Sequence, residues 1–152
     1  MTTSESNILK ARASALAFLS RRDHAEAELR QKLQRKGYAD ASIDAVIADM
    51  HRLGYLDDAR FASVYARQRA ERGYGPVKIR HELAHKGVSP AVIETALDAL
   101  GIDFELHCRH VHQRKFGAEP PADLKDKARR QRFLYQRGFE PESIRRVVPD
   151  PS

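Results

Sequence analysis

The sequence is poor in the features that mark secreted, membrane and disulfide-bonded proteins. Its 152 residues include no tryptophan and a single cysteine, Cys108, so no disulfide can form within the chain. No apolar run approaches the length that spans a membrane, and the N-terminal segment lacks a signal-peptide core. These absences predict a cytoplasmic protein in a reducing compartment, without a membrane anchor.

Enzyme motifs are missing as well. The sequence contains no P-loop, no dinucleotide-binding glycine motif and no nucleophile elbow. Asp57 and Asp58 are adjacent carboxylates, but neighbouring residues at a helix start point in different directions, and no His or Lys has a fitting spacing. We interpret Asp57 as a helix cap and Asp58 as a first-turn carboxylate that suits the helix dipole. The sequence therefore predicts neither an enzyme nor a bound cofactor.

One short segment is rich in potential metal ligands: His107, Cys108, His110 and His112. On a helix, His107 could share a face with His110, and Cys108 with His112, but these are two different faces. A closed zinc site needs four convergent ligands, and no second cluster supplies the others. We expect a surface helix that carries histidines and binds no metal.

No alternating strand pattern occurs, and Ala, Glu, Arg, Lys and Leu dominate, which predicts an all-α protein. A motif centred on a glycine recurs after 50 and then 51 residues. We interpret it as a helix end closed by a left-handed glycine and followed by a second helix. In each copy a leucine lies four residues before the glycine, a cation lies one residue before it, and an isoleucine lies six residues after it: Leu33, Lys36, Gly37 and Ile43; Leu83, Lys86, Gly87 and Ile93; Leu134, Arg137, Gly138 and Ile144.

Repeats of this length indicate an array of one supersecondary unit. We predict three tandem three-helix repeats, at residues 1–54, 55–101 and 102–152. The third has a proline-containing insertion, Ala118–Pro121, and a last helix cut short by Pro149. Stacked repeats of this kind predict an elongated, curved array with an extended concave surface.

The positive charge is unevenly distributed. The net charge is +6, with a pI of about 9.7, and residues 1–59 are neutral. Residues 60–88 and 104–148 each carry +5. Their cations have few anions nearby in sequence, so we expect them to meet phosphate or an acidic protein groove. These predicted contact residues are Arg67, Arg69, Arg72, Lys78, Arg80 and Lys86 in the second repeat, and Lys125, Arg129, Arg130 and Arg132 in the third.

Three segments, Arg22–Gly37, Tyr55–Ala62 and Gly75–Val88, resemble the bacterial RecX family, whose members regulate the RecA recombinase. The resemblance extends over nearly the whole chain and is weakest in the third repeat. It implies three-helix repeats, no catalysis, and binding in the helical groove of the RecA–DNA filament, with limited filament growth, ATP hydrolysis and strand exchange. The motif positions, interpreted as caps and repeat junctions, are Tyr55, Leu56, Asp57, Asp58, Phe61, Gly75, Leu83 and Gly87.

The implied partners are RecA and its filament on single-stranded DNA, with free DNA as a further candidate ligand. Nothing in the sequence requires a dimer, so a monomer is expected. One alternative is a sequence-specific DNA-binding regulator, because a helix, glycine turn and helix resemble the DNA-reading motif. A general adaptor protein is a second alternative.

Overall fold

The computed structural model describes residues 2–152, which form nine helices and no strand. The prediction of an all-α fold is confirmed. The helices are α1 (Thr3–Arg21), α2 (Glu26–Arg35), α3 (Asp40–Arg52), α4 (Asp58–Glu71), α5 (Pro76–His85), α6 (Pro90–Ala99), α7 (Phe104–Phe116), α8 (Leu124–Gln136) and α9 (Pro141–Val147).

The helices fall into two compact units. The first unit contains the chain up to Ala62 together with Leu83–Ile93, and the second contains Ser63–Glu82 together with Glu94–Ser152. Helices α1 to α3 belong to the first unit and α7 to α9 to the second, whereas α4, α5 and α6 each contribute residues to both. The repeat boundaries at residues 54 and 101 remain a prediction.

The core of the first unit lies between α1, α2 and α3. On α1 the residues that are completely buried are Ala11 and Ala15, whereas Leu16 is 37% exposed. Ala13 and Ala17 are exposed as well, so α1 turns the side that carries Ala11 and Ala15 towards the core. The core consists of Ala11, Ala15, Leu29, Leu33, Ile43, Val46, Ile47, Met50 and Leu56, with Ile8, Phe18, Leu19 and Tyr38 packed against it.

Two helix starts in this unit are closed by a backbone N–H that donates to a glutamate three residues later. Helix α1 begins at Thr3, since Thr2 accepts a hydrogen bond from the Glu5 N–H and Glu5 accepts one from the Thr2 N–H. At α2, Ala25 occupies the N-cap position and its N–H donates to Glu28, 3.1 Å away. Met1 lies outside the described residues.

The core of the second unit includes the facing sides of α7, α8 and α9. Phe139, in the turn before α9, is its largest fully buried side chain. Helix α9 ends at Val147, two residues before Pro149, as the proline predicted. The core residues are Cys108, Val111, Leu134, Phe139, Ile144, Val147 and Val148, with Phe133 packed against them.

The recurring glycine closes a helix in each copy of the motif. Gly37, Gly87 and Gly138 have φ of +88°, +83° and +91°. In each turn the residue after the glycine donates its N–H to the carbonyl of the repeated leucine: Tyr38 to Leu33, Val88 to Leu83, and Phe139 to Leu134. This is the Schellman arrangement, so the predicted helix closure is confirmed.

Two of these glycines also allow close approach of another helix. A Cβ at Gly87 would lie 2.4 Å from the Cβ of Ala27, and a Cβ at Gly138 would lie 2.3 Å from the Cβ of Lys78. Gly37 has no atom of residues 2–152 within 4 Å of the same point. The motif thus forms a packing contact within each unit that the sequence pattern did not predict.

Candidate functional site

Half of the six contact residues predicted in the second repeat are held in ion pairs. Arg69 donates to both carboxylate oxygens of Glu82 at 2.9 Å, and its guanidinium lies 3.9 Å from the centre of the Tyr74 ring. Arg80 pairs with Glu94 at 2.7 Å and Glu140 at 3.2 Å. These carboxylates are distant in sequence, which is why counting nearby anions overestimated the free positive charge.

Lys86 is the third paired cation, and it belongs to the first unit. Its ammonium group lies 3.2 Å from Glu28, which Arg22 also contacts at 3.2 Å. Hydrogen bonds from Arg22, the Ala25 N–H and Lys86 lower the pKa of Glu28, although desolvation by burial, the largest single effect, acts in the opposite direction. Glu28 therefore joins α2 to the end of α5, and Lys86 has a structural role in this arrangement.

In the third repeat, Arg130 is buried rather than available on the surface. It is 5% exposed, donates to the Glu119 carbonyl at 2.9 Å, and lies 3.2 Å from a carboxylate oxygen of Asp126. Asp126 also accepts from the Ala122 N–H and from Arg129, and these bonds, with that from Ala122 largest, lower its pKa to about 2. Arg130 therefore fixes the proline-containing insertion to α8, and its assignment to a surface contact is withdrawn.

The other predicted contact residues divide into partly engaged and unpaired side chains. Arg129 bonds Asp126 at 2.8 Å, and the Lys78 ammonium lies 5.0 Å from the centre of the Tyr74 ring. The remaining four are exposed, and none forms a side-chain hydrogen bond or ion pair with any residue of 2–152. These are Arg67, Arg72, Lys125 and Arg132.

One of these unpaired cations, Arg72, lines a groove of about 250 Å³ in the second unit. The groove lies where the ends of α4, α7 and α8 meet, and its rim is basic. Val111 and Phe133 supply apolar surface, and no carboxylate from the described residues lines it. The lining residues are Arg72, Gly73, Val111, Arg114, Lys115, Phe133 and Arg137.

Arg137 is the anchored cation of this groove. Its guanidinium donates to the Arg72 carbonyl at 3.3 Å and lies 4.8 Å from the centre of the Tyr74 ring and 5.3 Å from that of Phe133. Although Arg137 precedes the glycine that closes its own helix, this bond satisfies a carbonyl at the end of α4. Arg137 therefore links the ends of two helices on one side of the groove.

Arg114 and Lys115 are the groove residues that the sequence analysis did not select. Both are exposed, and within the described chain neither forms a side-chain hydrogen bond or ion pair. Lys115 lies 5.4 Å from the centre of the Phe133 ring. In the sequence, the sign of this site was two adjacent cations in the last turn of α7. Cations are also common at helix C-termini, so this pattern alone does not indicate a binding site. Only the fold brings these two cations near Arg72.

The Tyr55–Ala62 segment connects α3 to α4 and also bonds the N-terminus of α2. Asp57 accepts from the Arg60 N–H at 3.1 Å, which is cap geometry. Asp58 accepts from the N–H of Glu26, the first residue of α2, at 2.8 Å. Leu56 and Phe61 are buried, whereas Tyr55 is 49% exposed. These two aspartates therefore bond helix N-termini.

Gly75 has a comparable role in the second unit. Its N–H donates to the Arg137 carbonyl at 2.8 Å, and the Val77 N–H donates to the Gly138 carbonyl at 2.9 Å. A Cβ at Gly75 would lie 2.5 Å from the Gly138 oxygen. The residues at the start of α5 therefore satisfy the Arg137 and Gly138 carbonyls at the end of α8. Only a glycine at position 75 allows the two chain segments to approach this closely.

The histidine-rich segment of α7 is largely interior, which corrects the expectation of a surface helix. Cys108 and His112 are buried, His107 is partly buried, and only His110 is exposed. Burial raises the pKa of the Cys108 thiol to about 12 and lowers the pKa of His107; burial and then Arg130 lower that of His112. Across residues 2–152, no three His, Cys, Asp or Glu side chains converge in a way that could hold a metal ion.

The sequence models of the first, second and third three-helix domains of RecX match residues 11–50, 57–97 and 107–148. The chain belongs to the RecX family. The regulatory protein RecX of Halorhodospira halophila is 41% identical over 134 residues, covering 88% of this chain and 83% of that protein. The regulatory protein RecX of Pseudomonas fluorescens is 35% identical over 148 residues, covering 97% and 96%.

Solved structures support the same fold. The crystal structure of RecX from Lactobacillus salivarius superposes with a TM-score of 0.80 at 21% identity, covering 94% of this chain and 95% of that one. A second crystal structure of a regulatory protein RecX gives 0.78 at 19% identity, covering 95% and 72%. The names of these RecX relatives describe a regulatory protein and no catalytic activity. No helix within residues 2–152 is long and apolar enough to cross a membrane.

Proposed function

We propose that this chain regulates the RecA recombinase. It binds the RecA filament on single-stranded DNA, limits filament growth, and thereby reduces ATP hydrolysis and strand exchange. Membership of the RecX family supports the choice of partner, because RecX proteins are named as regulators. The observation that carries the proposal in this chain is the set of unpaired cations in its second unit.

These cations suit a nucleoprotein surface, which offers phosphates and acidic side chains together. Arg67, Arg72, Arg114, Lys115, Lys125 and Arg132 are exposed and have no carboxylate partner in the described chain. A cation that is already paired gains little from a second anion, whereas an unpaired one releases the counterions of the phosphate that it meets. The unpaired set therefore supplies the filament contact, and Arg69, Arg80 and Arg130 maintain the fold.

Binding along a filament obstructs growth in a direct way. A protein that contacts neighbouring RecA subunits and the DNA between them occupies space that an incoming subunit requires. The effect should then appear at fewer than one regulator per RecA subunit. This chain acts as a monomer in the proposal, since each copy provides a complete set of cations.

The experiment adds this protein at substoichiometric amounts to RecA on single-stranded DNA and follows ATP hydrolysis and filament length. Shorter filaments and slower hydrolysis are the expected results. Unchanged filaments, together with tight binding to one defined duplex sequence in the absence of RecA, would instead indicate a sequence-specific DNA-binding regulator.

A further inference from the structure

The basic groove in the second unit has the chemistry of a site for a nucleic-acid strand. Arg72, Arg114 and Lys115 are exposed on its rim, and Arg137 is fixed beside them by the Arg72 carbonyl and two aromatic rings. Among residues 2–152, no carboxylate lines the groove. An anion that enters it meets several cations without displacing an existing ion pair.

Helix closure explains only part of this cluster. Arg137 has such a role, because it donates to the Arg72 carbonyl at 3.3 Å. The side chains of Arg72 and Arg114 donate to no carbonyl or carboxylate of residues 2–152, and the Lys115 ammonium lies 5.4 Å from the centre of the Phe133 ring. Three like charges around one groove repel one another, so their placement favours an external anion.

The apolar surface and the size of the groove restrict the class of anion. Val111 and Phe133 form an apolar surface beneath the cations. A short acidic side chain would meet the cations and leave that surface uncovered, whereas a nucleotide presents a phosphate together with a sugar and a base. The volume of about 250 Å³ is below the roughly 300–1,000 Å³ of clefts that enclose a small-molecule ligand. The groove therefore fits one unit of a longer strand.

We propose that this groove binds single-stranded DNA directly, with one phosphate among Arg72, Arg114, Lys115 and Arg137 and the attached sugar or base on Val111 and Phe133. A basic groove with an aromatic side chain is the usual construction of a site for single strands. The proposal rests on the proposed function for the identity of the strand, and it assigns DNA rather than RecA to this groove.

The test measures the fluorescence anisotropy of a labelled oligothymidylate with the full chain and no RecA, at low salt. The variant Arg114→Glu/Lys115→Glu reverses two groove charges. The matched control, Arg21→Glu/Arg35→Glu, reverses two exposed cations of the first unit that pair with no residue of 2–152. We expect the groove variant to bind about 30-fold more weakly and the control less than about threefold more weakly. The slope of log affinity against log salt should also become shallower, by about 0.7 for each phosphate that the variant no longer neutralises.

Circular dichroism and thermal unfolding establish that both variants fold. Equal losses of affinity in the two folded variants, or no binding by the unaltered protein, would overturn the proposal. It would also be overturned if polyglutamate with the same number of charges displaced the labelled strand as well as unlabelled oligothymidylate does. That result would indicate an acidic protein segment as the occupant. The proposed function would survive either outcome if RecA filaments are still shortened.

Discussion

Arg130 and Arg132 lie two residues apart on α8 and have opposite surroundings. The side chain of Arg130 is 6% exposed and bonds the insertion and Asp126, whereas Arg132 is exposed without a partner in the described chain. Arg69 and Arg67 on α4 show the same contrast. Glu82 forms an ion pair with Arg69, whereas no described residue pairs with Arg67. Cations of one type in one basic segment thus divide into residues that maintain the fold and residues that are free to bind.

The largest expected effect in this comparison is on Arg130. Arg130→Met removes the charge beside Asp126 and leaves the Glu119 carbonyl without its donor. We expect the free energy of unfolding to fall by about 3 kcal/mol, because breaking a buried ion pair leaves groups unsatisfied. Urea denaturation measures the loss. The control Arg132→Met should stay within about 0.5 kcal/mol of the unaltered protein, and equal losses would show that the two positions do not differ.

A smaller effect is expected for the half-buried pair on α4 and α5. Arg69→Met loses both hydrogen bonds to Glu82 and the contact with Tyr74, and should lower the free energy of unfolding by about 1–2 kcal/mol. Arg67→Met should be close to neutral in the same denaturation experiment. If Arg67→Met is the more destabilising change, the assignment of Arg69 to the fold is wrong.

Lowering the pH should destabilise the protein through the buried and partly buried histidines of α7. Burial lowers the pKa of His107 and of His112, which lies 3.4 Å from Arg130 and is also near Arg109 and Asp126. The unfolded chain therefore binds more protons, and stability falls as the pH drops below 6.5, by up to about 1.4 kcal/mol per pH unit for each histidine.

Unfolding of the unaltered protein and of two variants, followed from about pH 7.5 to pH 5.5, checks this expectation. His112→Gln should lose less stability on acidification than the unaltered protein does. His110→Gln, at an exposed position, should retain the full pH dependence. If all three proteins respond equally, His112 is not one of the groups that titrate on unfolding.

Local patterns predicted much of the fold and little of the site. The glycine turns followed from the leucine, cation and glycine order, because a helix closes through residues adjacent in sequence. At the start of α2, no sequence pattern indicated that the Ala25 N–H would donate to Glu28, three residues further along the chain. Nothing in the repeat indicated that Gly138 must approach Lys78.

The ion pairs were not predicted either, because their partners are far apart in sequence. Arg80 meets Glu94 and Glu140, 14 and 60 positions away, so sequence proximity says little about its charge balance. The groove requires the ends of three helices to meet, and Arg114 and Lys115 alone resemble ordinary helix-terminal cations. Predicting such a site needs the packing of the helices as well as their sequences.

The division of the cations into paired and unpaired residues also determines which variants test the filament contact. Reversing Arg69 together with Arg67 and Arg72 would set a glutamate against Glu82 and disturb the fold. Arg67→Glu/Arg72→Glu changes only exposed side chains that have no ion-pair partner in the described chain. Arg21→Glu/Arg35→Glu provides the same change of charge in the first unit.

The most direct measurement is therefore the concentration of each protein that halves RecA ATP hydrolysis on single-stranded DNA. The unpaired cations of the second unit predict that Arg67→Glu/Arg72→Glu requires about tenfold more protein, equivalent to about 1.4 kcal/mol of binding free energy, while the control stays within about twofold. Full inhibition by the folded Arg67→Glu/Arg72→Glu variant, at the concentration that suffices for the unaltered protein, would contradict the account.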